Sequence, residues 1–383
     1  MSVATSLIRT QDVVRTVGPT LSPPTLDMLR ASDARAAVTG RPDTAVLSKL
    51  RASGLLATAV PEAYGGAGGD AAAVNRVVAQ VATVNPSVAI ILFQHFAVCA
   101  RIDEWGTGEQ KARLLPALAS GEFLAASAWS ETGAGAAKKR LASLAERLPG
   151  GRWLLNGAKS FTTGAGVADL YLVLVQTSAA QDDPGSSYGS AGQTFFLVRG
   201  DNPGLVPDLS LDLVGMRGSA TGFVRLGNCE VTDDDRLGPL GGATALIAGV
   251  RESGATLGAV SAGIAQAAYD LAAEQRARLD APQAQAVRHQ MVKLSTLLES
   301  AHAFVARAGD RSSDDPGRTT LQAKLHASAA AEHLCLEVSR MLGSAGYVAD
   351  HRLNRLIADA RAVALMGPTN DLCRELVAQS WGN

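Results

Sequence analysis

The stretch "RWLLNGAKSFTTG" (residues 152–164) decides how the chain is divided. Its apolar residues come in a short run punctuated by Asn156, Gly157 and Gly164, the pattern of strand and turn rather than helix. "DLYLVLVQT" (169–177), "QTFFLVRG" (193–200), "GLVPDLSL" (204–211) and "TGFVRLGNCEVT" (221–232) repeat it. Together these runs predict an antiparallel β domain, barrel or sandwich, over 121–238. Between them, "SAAQDDPGSSYGSAGQ" (178–193) is polar and of low complexity, and reads as a flexible loop.

On either side the period changes. Residues 1–120 read as helices, over 24–31, 43–55, 70–83, 86–105 and 108–118. The glycine-rich "VPEAYGGAGGD" (60–70) ends in Asp70, a natural N-cap for the helix that follows. It has no preceding strand and no GxGxxG spacing, so it reads as a structural turn and not a phosphate loop. From Gly241 helical spacing returns, in long segments near 243–279, 283–308 and 318–345, and makes a four-helix bundle over 239–383. Apolar residues from Leu353 to Ala364 predict a further helix. Gly367-Pro368 stops it, and Thr369, Asn370 and Asp371 look like the cap and first turn of the next. The fold class is therefore α+β multidomain, in the order helical, β, helical.

Composition narrows the function. A chain of 383 residues suits two or three domains, and 47% hydrophobic with 19% charged residues describes a folded protein with extensive buried surface. A net charge of −1 offers neither a nucleic-acid groove nor a polybasic membrane patch. Cys99, Cys229, Cys335 and Cys373 are scattered, without metal-ligand spacing, and three of them lie in apolar or helical surroundings and read as buried thiols. "MSVATSLIRTQDVV" (1–14) has no long apolar run, so no signal peptide or anchor is expected and the chain reads as cytoplasmic.

Six segments in order resemble the acyl-CoA dehydrogenase superfamily. They are "VPEAYGGAGG" (60–69), "SETGAGAA" (130–137), "LNGAKSFTTGAGVADL" (155–170), "VGMRGSATGFVRLGN" (214–228), "LGSAGY" (342–347) and "IADAR" (357–361). The resemblance implies an FAD, or alternatively FMN or a diffusible reduced flavin, held between the β domain and the bundle with help from a second subunit. It implies a homodimer or homotetramer. On the cofactor side it sets Trp129, Ser130, Phe161, Thr162, Thr163 and Thr369. Phe161 takes the place of a tryptophan that packs on the isoalloxazine, and Ser130 and Thr163 are hydroxyls that can donate or accept by rotation. Gly343 and Gly346 let backbone approach the dinucleotide of a neighbour. Arg276 or Arg278 would meet its pyrophosphate, although an exposed helix face explains these arginines equally well.

The departures bear on the reaction. The family's dehydrogenases place a glutamate base in a Y-E-G-T motif after R-D-A-R, and counted from "DAR" that motif falls on Met366-Gly367-Pro368-Thr369. Gly367 has no proton acceptor, so the base position is vacated. Some members keep the base on the first long helix of the bundle, which here is Ser253 with Glu252 beside it. Glu252 is then a relocated base or an ordinary helix-start carboxylate. On the substrate side, Ala136 replaces a serine, Met366 precedes the vacated position, and His95 lies on an apolar helix near the expected cavity. Lys138, Lys139 and Arg140 form either a phosphate-attracting triplet or a solvated turn.

Three readings follow. The first is an FAD-dependent dehydrogenase of an acyl thioester on CoA or a carrier protein, passing electrons to a flavoprotein acceptor or O2. The second is a flavin monooxygenase or oxidase, decarboxylation-coupled in one version, which needs no base. The third is a non-catalytic flavin-binding protein.

Overall fold

The computed structural model describes residues 21–181, 187–277 and 284–381. The expectation about 1–14, and Arg278, lie outside them.

Five helices precede the sheet: α1 (Pro23–Thr39), α2 (Thr44–Arg51), α3 (Ala71–Ala82), α4 (Pro86–Trp105) and α5 (Gly108–Ser120). Each starts on a side-chain cap that satisfies otherwise unpaired backbone donors. Asp43 accepts from Ala45 and Val46, Asp70 from Ala73, and Asn85 from Val88, while Thr107 and Gln110 form a reciprocal capping box. α4 is long and apolar enough to cross a membrane by composition. It is instead buried over most of its surface, packed against α3, the sheet and the bundle.

The central sheet contains β1 (Ala125–Ala128), β2 (Leu144–Leu148), β3 (Arg152–Thr162), β4 (Leu170–Gln181), β5 (Ala191–Arg199), β6 (Leu205–Asp208), β7 (Gly222–Thr232) and β8 (Arg236–Leu237). Strand order is β6-β7-β3-β2-β4-β5-β8. Most pairings are antiparallel, as the sequence predicts. However, β1 runs parallel to β4, with Ala125 opposite Leu170 and Ala128 opposite Val173, so the sheet is mixed. α5 enters β1 at its end, and β1 reaches β4 only after β2 and β3 have intervened. Gly157 interrupts the β3–β7 register at φ +141°, where an added Cβ would lie 2.4 Å from Ser143 Oγ. Only glycine fits that approach.

The C-terminal helices are α6 (Ala243–Glu252), α7 (Gly258–Arg276), α8 (Ala284–Asp310), α9 (Pro316–Leu342), α10 (Arg352–Leu365) and α11 (Asn370–Gln379). The continuous segment expected over 243–279 is broken between α6 and α7. Gly254 adopts φ +84°, and Asn75 of α3 closes the gap by donating to Gly254 O and accepting from Thr256 N, both at 3.0 Å. A side chain distant in sequence thus satisfies the backbone that the break exposes. The predicted stop after α10 is present, and Thr369 Oγ1 caps α11 by accepting from Leu372 N.

Candidate functional site

The site grows from the two loops that follow β1 and β3. Ser160 N donates to Ser130 O at 2.8 Å, which lays the "SETGAGAA" loop against the end of β3. That loop is locked by a buried ion pair in which Lys159 donates to Glu131 Oε1. Glu131 also accepts from the backbone N–H groups of Ala142 and Ser143, so its oxygens are fully engaged. Burial pulls Lys159 below the ordinary lysine range, and the attraction of Glu131 opposes that shift.

Next to this anchor the chain presents an aromatic ring and several hydroxyls. Phe161 is 64% exposed and sits at φ +52°, a conformation that costs a non-glycine residue strain. Thr163 Oγ1 lies 3.1 Å from Thr221 Oγ1, which in turn is 2.7 Å from Ser219 Oγ. Thr162 Oγ1 and Trp129 Nε1 are buried with no hydrogen-bond partner among the described residues. The Trp129 ring packs on Phe195, centroids 4.9 Å apart.

The same loop carries the chain from Ser130 to the α10–α11 turn, and here the basic triplet divides. Lys139 and Arg140 are exposed, whereas Lys138 is 3% exposed and held at φ +53°. Its Nζ donates to Tyr188 Oη at 3.0 Å and to Ala136 O at 3.3 Å. A Cβ on Gly367 would lie 3.3 Å from Lys138 Nζ and 3.7 Å from Tyr188 Oη. From the other side Lys324 of α9 donates to Met366 O at 2.9 Å and to Pro368 O. Burial pushes Lys324 down to about 8. The vacated position is therefore flanked by two lysines and a phenol.

Several sequence expectations need correction. Glu252 does not open a helix: it is the exposed last residue of α6, its Cγ 3.6 Å from where a Cβ of Gly317 would sit. Gly317 precedes Lys324 by seven residues of α9, about 10 Å along the helix, and Glu252 is not among the groups against Gly367. His95 is not available to a substrate. It is fully buried, Nε2 donates to Leu56 O at 3.1 Å, and Nδ1 accepts from Ala125 N at 3.2 Å. Burial lowers its pKa to about 4, so it stays neutral and ties α4 to β1. The 178–193 segment is not simply a loop. β4 continues to Gln181 and β5 starts at Ala191, while Tyr188 and Ser190 are buried, and Gly189 N donates to Ala137 O.

The remaining candidates divide between the two ends of the bundle. Ala136, Met366, Gly367 and Thr369 are gathered around Lys138 and Lys324, with the Met366 side chain against the bundle core. Arg276 ends α7, eighteen residues from Gly258, which abuts Ala323 and Lys324. That is about 27 Å along the helix. Gly343 and Gly346 lie past the end of α9, at a similar remove. Arg276 and Gly343 are exposed and belong to the far end of the bundle.

Sequence reading missed Tyr188 and Lys324. Tyr188 was hidden in a polar segment. Lys324 sits on a helix whose apolar spacing gives no sign that one lysine turns inward.

Comparison with known proteins fixes the family. Residues 27–122, 126–229 and 241–382 match the models of the N-terminal, middle and C-terminal domains of acyl-CoA dehydrogenase. The chain is 30% identical to an acyl-CoA dehydrogenase of Bacillus subtilis over 87% of its own length and 88% of the relative's. Butyryl-CoA dehydrogenase of Megasphaera elsdenii superposes with a TM-score of 0.82 at 22% identity, covering 95% of this chain and 100% of the other. The prolyl acyl carrier protein oxidase AnaB superposes with a TM-score of 0.79 at 24% identity, again over 95% and 100%. With all three domain models matched in order around one site, this chain belongs to the acyl-CoA dehydrogenase family.

Proposed function

We propose that the protein is a flavin-dependent oxidoreductase of acyl thioesters, on CoA or a carrier protein, that works without a carboxylate base at the α10–α11 turn. The observation that carries this reading is the set of groups around Gly367: Lys138, Tyr188 and Lys324, with no carboxylate against it among the described residues.

The residues fit a flavin. Buried polar atoms without partners, Thr162 Oγ1 and Trp129 Nε1, lie beside the hydroxyls of Ser130, Thr163 and Thr221, and such atoms suit a ring rich in donors and acceptors. Phe161 offers an exposed aromatic face in a strained conformation, as residues at binding sites often do. The flavin, when bound, takes two electrons from the substrate. The chain's own share is to hold the ring through the β3 hydroxyls, shield it with Phe161 and fix the loop between them through Glu131–Lys159. Thr369 keeps one O–H free to donate while its oxygen caps α11. Arg276, Gly343 and Gly346 belong, in this reading, to the adenosine end of an FAD reached from a second subunit.

Similarity to a butyryl-CoA dehydrogenase and to a carrier-protein oxidase supports the thioester class. Anaerobic mixing of flavin-loaded protein with acyl-CoA and acyl-carrier panels should bleach the flavin. No bleaching by any thioester overturns the reading.

The absence of a carboxylate against Gly367 among the described residues also favours a second reading, oxidation by O2 through reduced flavin, which requires no acceptor for an α-proton. Incorporation of isotopically labelled oxygen into product would select it.

A further inference from the structure

The turn around Gly367 holds more buried positive charge than the described residues around it neutralise. Lys138, Lys159 and Lys324 are each no more than 3% exposed, and the one buried carboxylate among them, Glu131, is committed to Lys159 and two backbone donors. Lys324 spends its donors on the carbonyls of Met366 and Pro368. Lys138 has no carboxylate partner among the described residues; its contacts are the Tyr188 hydroxyl, the Ala136 carbonyl and the Tyr188 ring, whose centroid is 5.0 Å away. An ammonium carries three donors, and two are used. A buried cation without a counter-ion is costly, and among the described residues no carboxylate offsets that cost at Lys138. The cation also lacks the freedom of a surface lysine, because Lys138 is fixed in the left-handed backbone region and Gln193 Nε2 donates to its carbonyl at 2.8 Å. Finally, the position beside it is a glycine, so the turn comes close to Nζ without placing a side chain of its own against it; a Cβ there would lie 3.3 Å from Nζ.

We propose that Lys138, positioned by Tyr188 over Gly367, is an anion-recognition group that selects substrates bearing a free carboxylate near the reacting carbons. This rests on the reading of the site as a thioester oxidase or dehydrogenase, and names its substrate class as the monothioester of a dicarboxylic acid. The carboxylate supplies a counter-charge that the described residues do not. Tyr188 sets the direction of the ammonium, and Lys324 keeps the turn closed around it.

The test is an anaerobic titration of the flavin-loaded protein, read by flavin absorbance. A dicarboxylic monothioester is compared with the monocarboxylic thioester of equal chain length. A charge-assisted hydrogen bond predicts a preference of roughly tenfold to a hundredfold for the diacid. Lys138→Met should abolish the preference and leave flavin content unchanged. Gly367→Glu is the second variant. Its backbone is not in the left-handed region, and the new carboxylate neutralises Lys138, so it too should erase the preference. Equal affinity for both thioesters in the unaltered protein overturns the proposal, as does a preference that survives in either variant. If neither thioester binds, the thioester reading fails. The same titration with a free carboxylic acid and its amide then decides Lys138 alone: preference for the acid, lost in Lys138→Met, supports anion recognition, and no preference overturns it.

Discussion

Lys324 Nζ donates to Met366 O at 2.9 Å, so a buried ammonium on α9 clamps the turn between α10 and α11. Lys324→Met keeps the apolar stem and removes the donor, leaving the Met366 and Pro368 carbonyls unpaired. The expected loss is about 2 kcal/mol of stability, measured by urea unfolding. An unchanged midpoint would show that water serves the turn as well as the lysine does.

The Glu131–Lys159 pair predicts strong non-additivity. Removing either partner strands a buried charge, which costs about 3–5 kcal/mol. Replacing both, as Glu131→Gln with Lys159→Met, should cost clearly less than the sum of the single changes. Because the pair fixes the loop carrying Trp129 and Ser130, the single variants should also purify with less flavin.

Phe161 separates stability from binding. Its ring is exposed and its backbone strained, so Phe161→Gly should raise the thermal stability of flavin-free protein slightly, by about 1 kcal/mol. The same change should weaken flavin affinity, read by fluorescence titration. Loss of stability with unchanged affinity would make Phe161 a structural residue.

Two buried groups predict opposing pH dependences. His95 has its pKa lowered to about 4 from 6.5 by burial, so between those values only the unfolded chain takes up its proton, and stability falls as pH falls. Asp359, on α10, accepts a hydrogen bond from Met216 N in the "VGMRGS" loop. Burial raises its pKa to about 7 from 3.8, with Asp33 adding repulsion. Between those values the folded chain holds the proton longer, so stability falls as pH rises. The two effects offset each other from about pH 4 to 6.5. In Asp359→Asn the histidine effect is no longer opposed by Asp359, and stability relative to the unaltered protein should increase steadily with pH up to about 7. Parallel pH profiles for the two proteins would rule out the assignment.

Much of the fold was legible because local chemistry and tertiary structure agree. Asp43, Asp70, Asn85 and Thr369 cap the helices they precede, and the change of period near residue 121 marks the first strand. The parallel β1–β4 pairing was not legible, since alternation along a strand says nothing about the direction of its neighbour. Likewise the break between α6 and α7 depends on Asn75, which belongs to another domain.

The site shows the same division. By itself the sequence determined that no carboxylate stands at position 367, because that is a matter of residue identity. It also determined the row of hydroxyls and the aromatic residue at the end of β3. Only the tertiary structure decided that Glu252 lies on the surface, that His95 spends both nitrogens on backbone, and that Lys138 leaves its charged triplet to be buried against Tyr188. Burial and hydrogen-bond partners are supplied by distant segments, so a lysine that is one of three basic residues in sequence becomes a buried cation beside Gly367, without a carboxylate partner among the described residues, only when the loop, α9 and the α10–α11 turn converge.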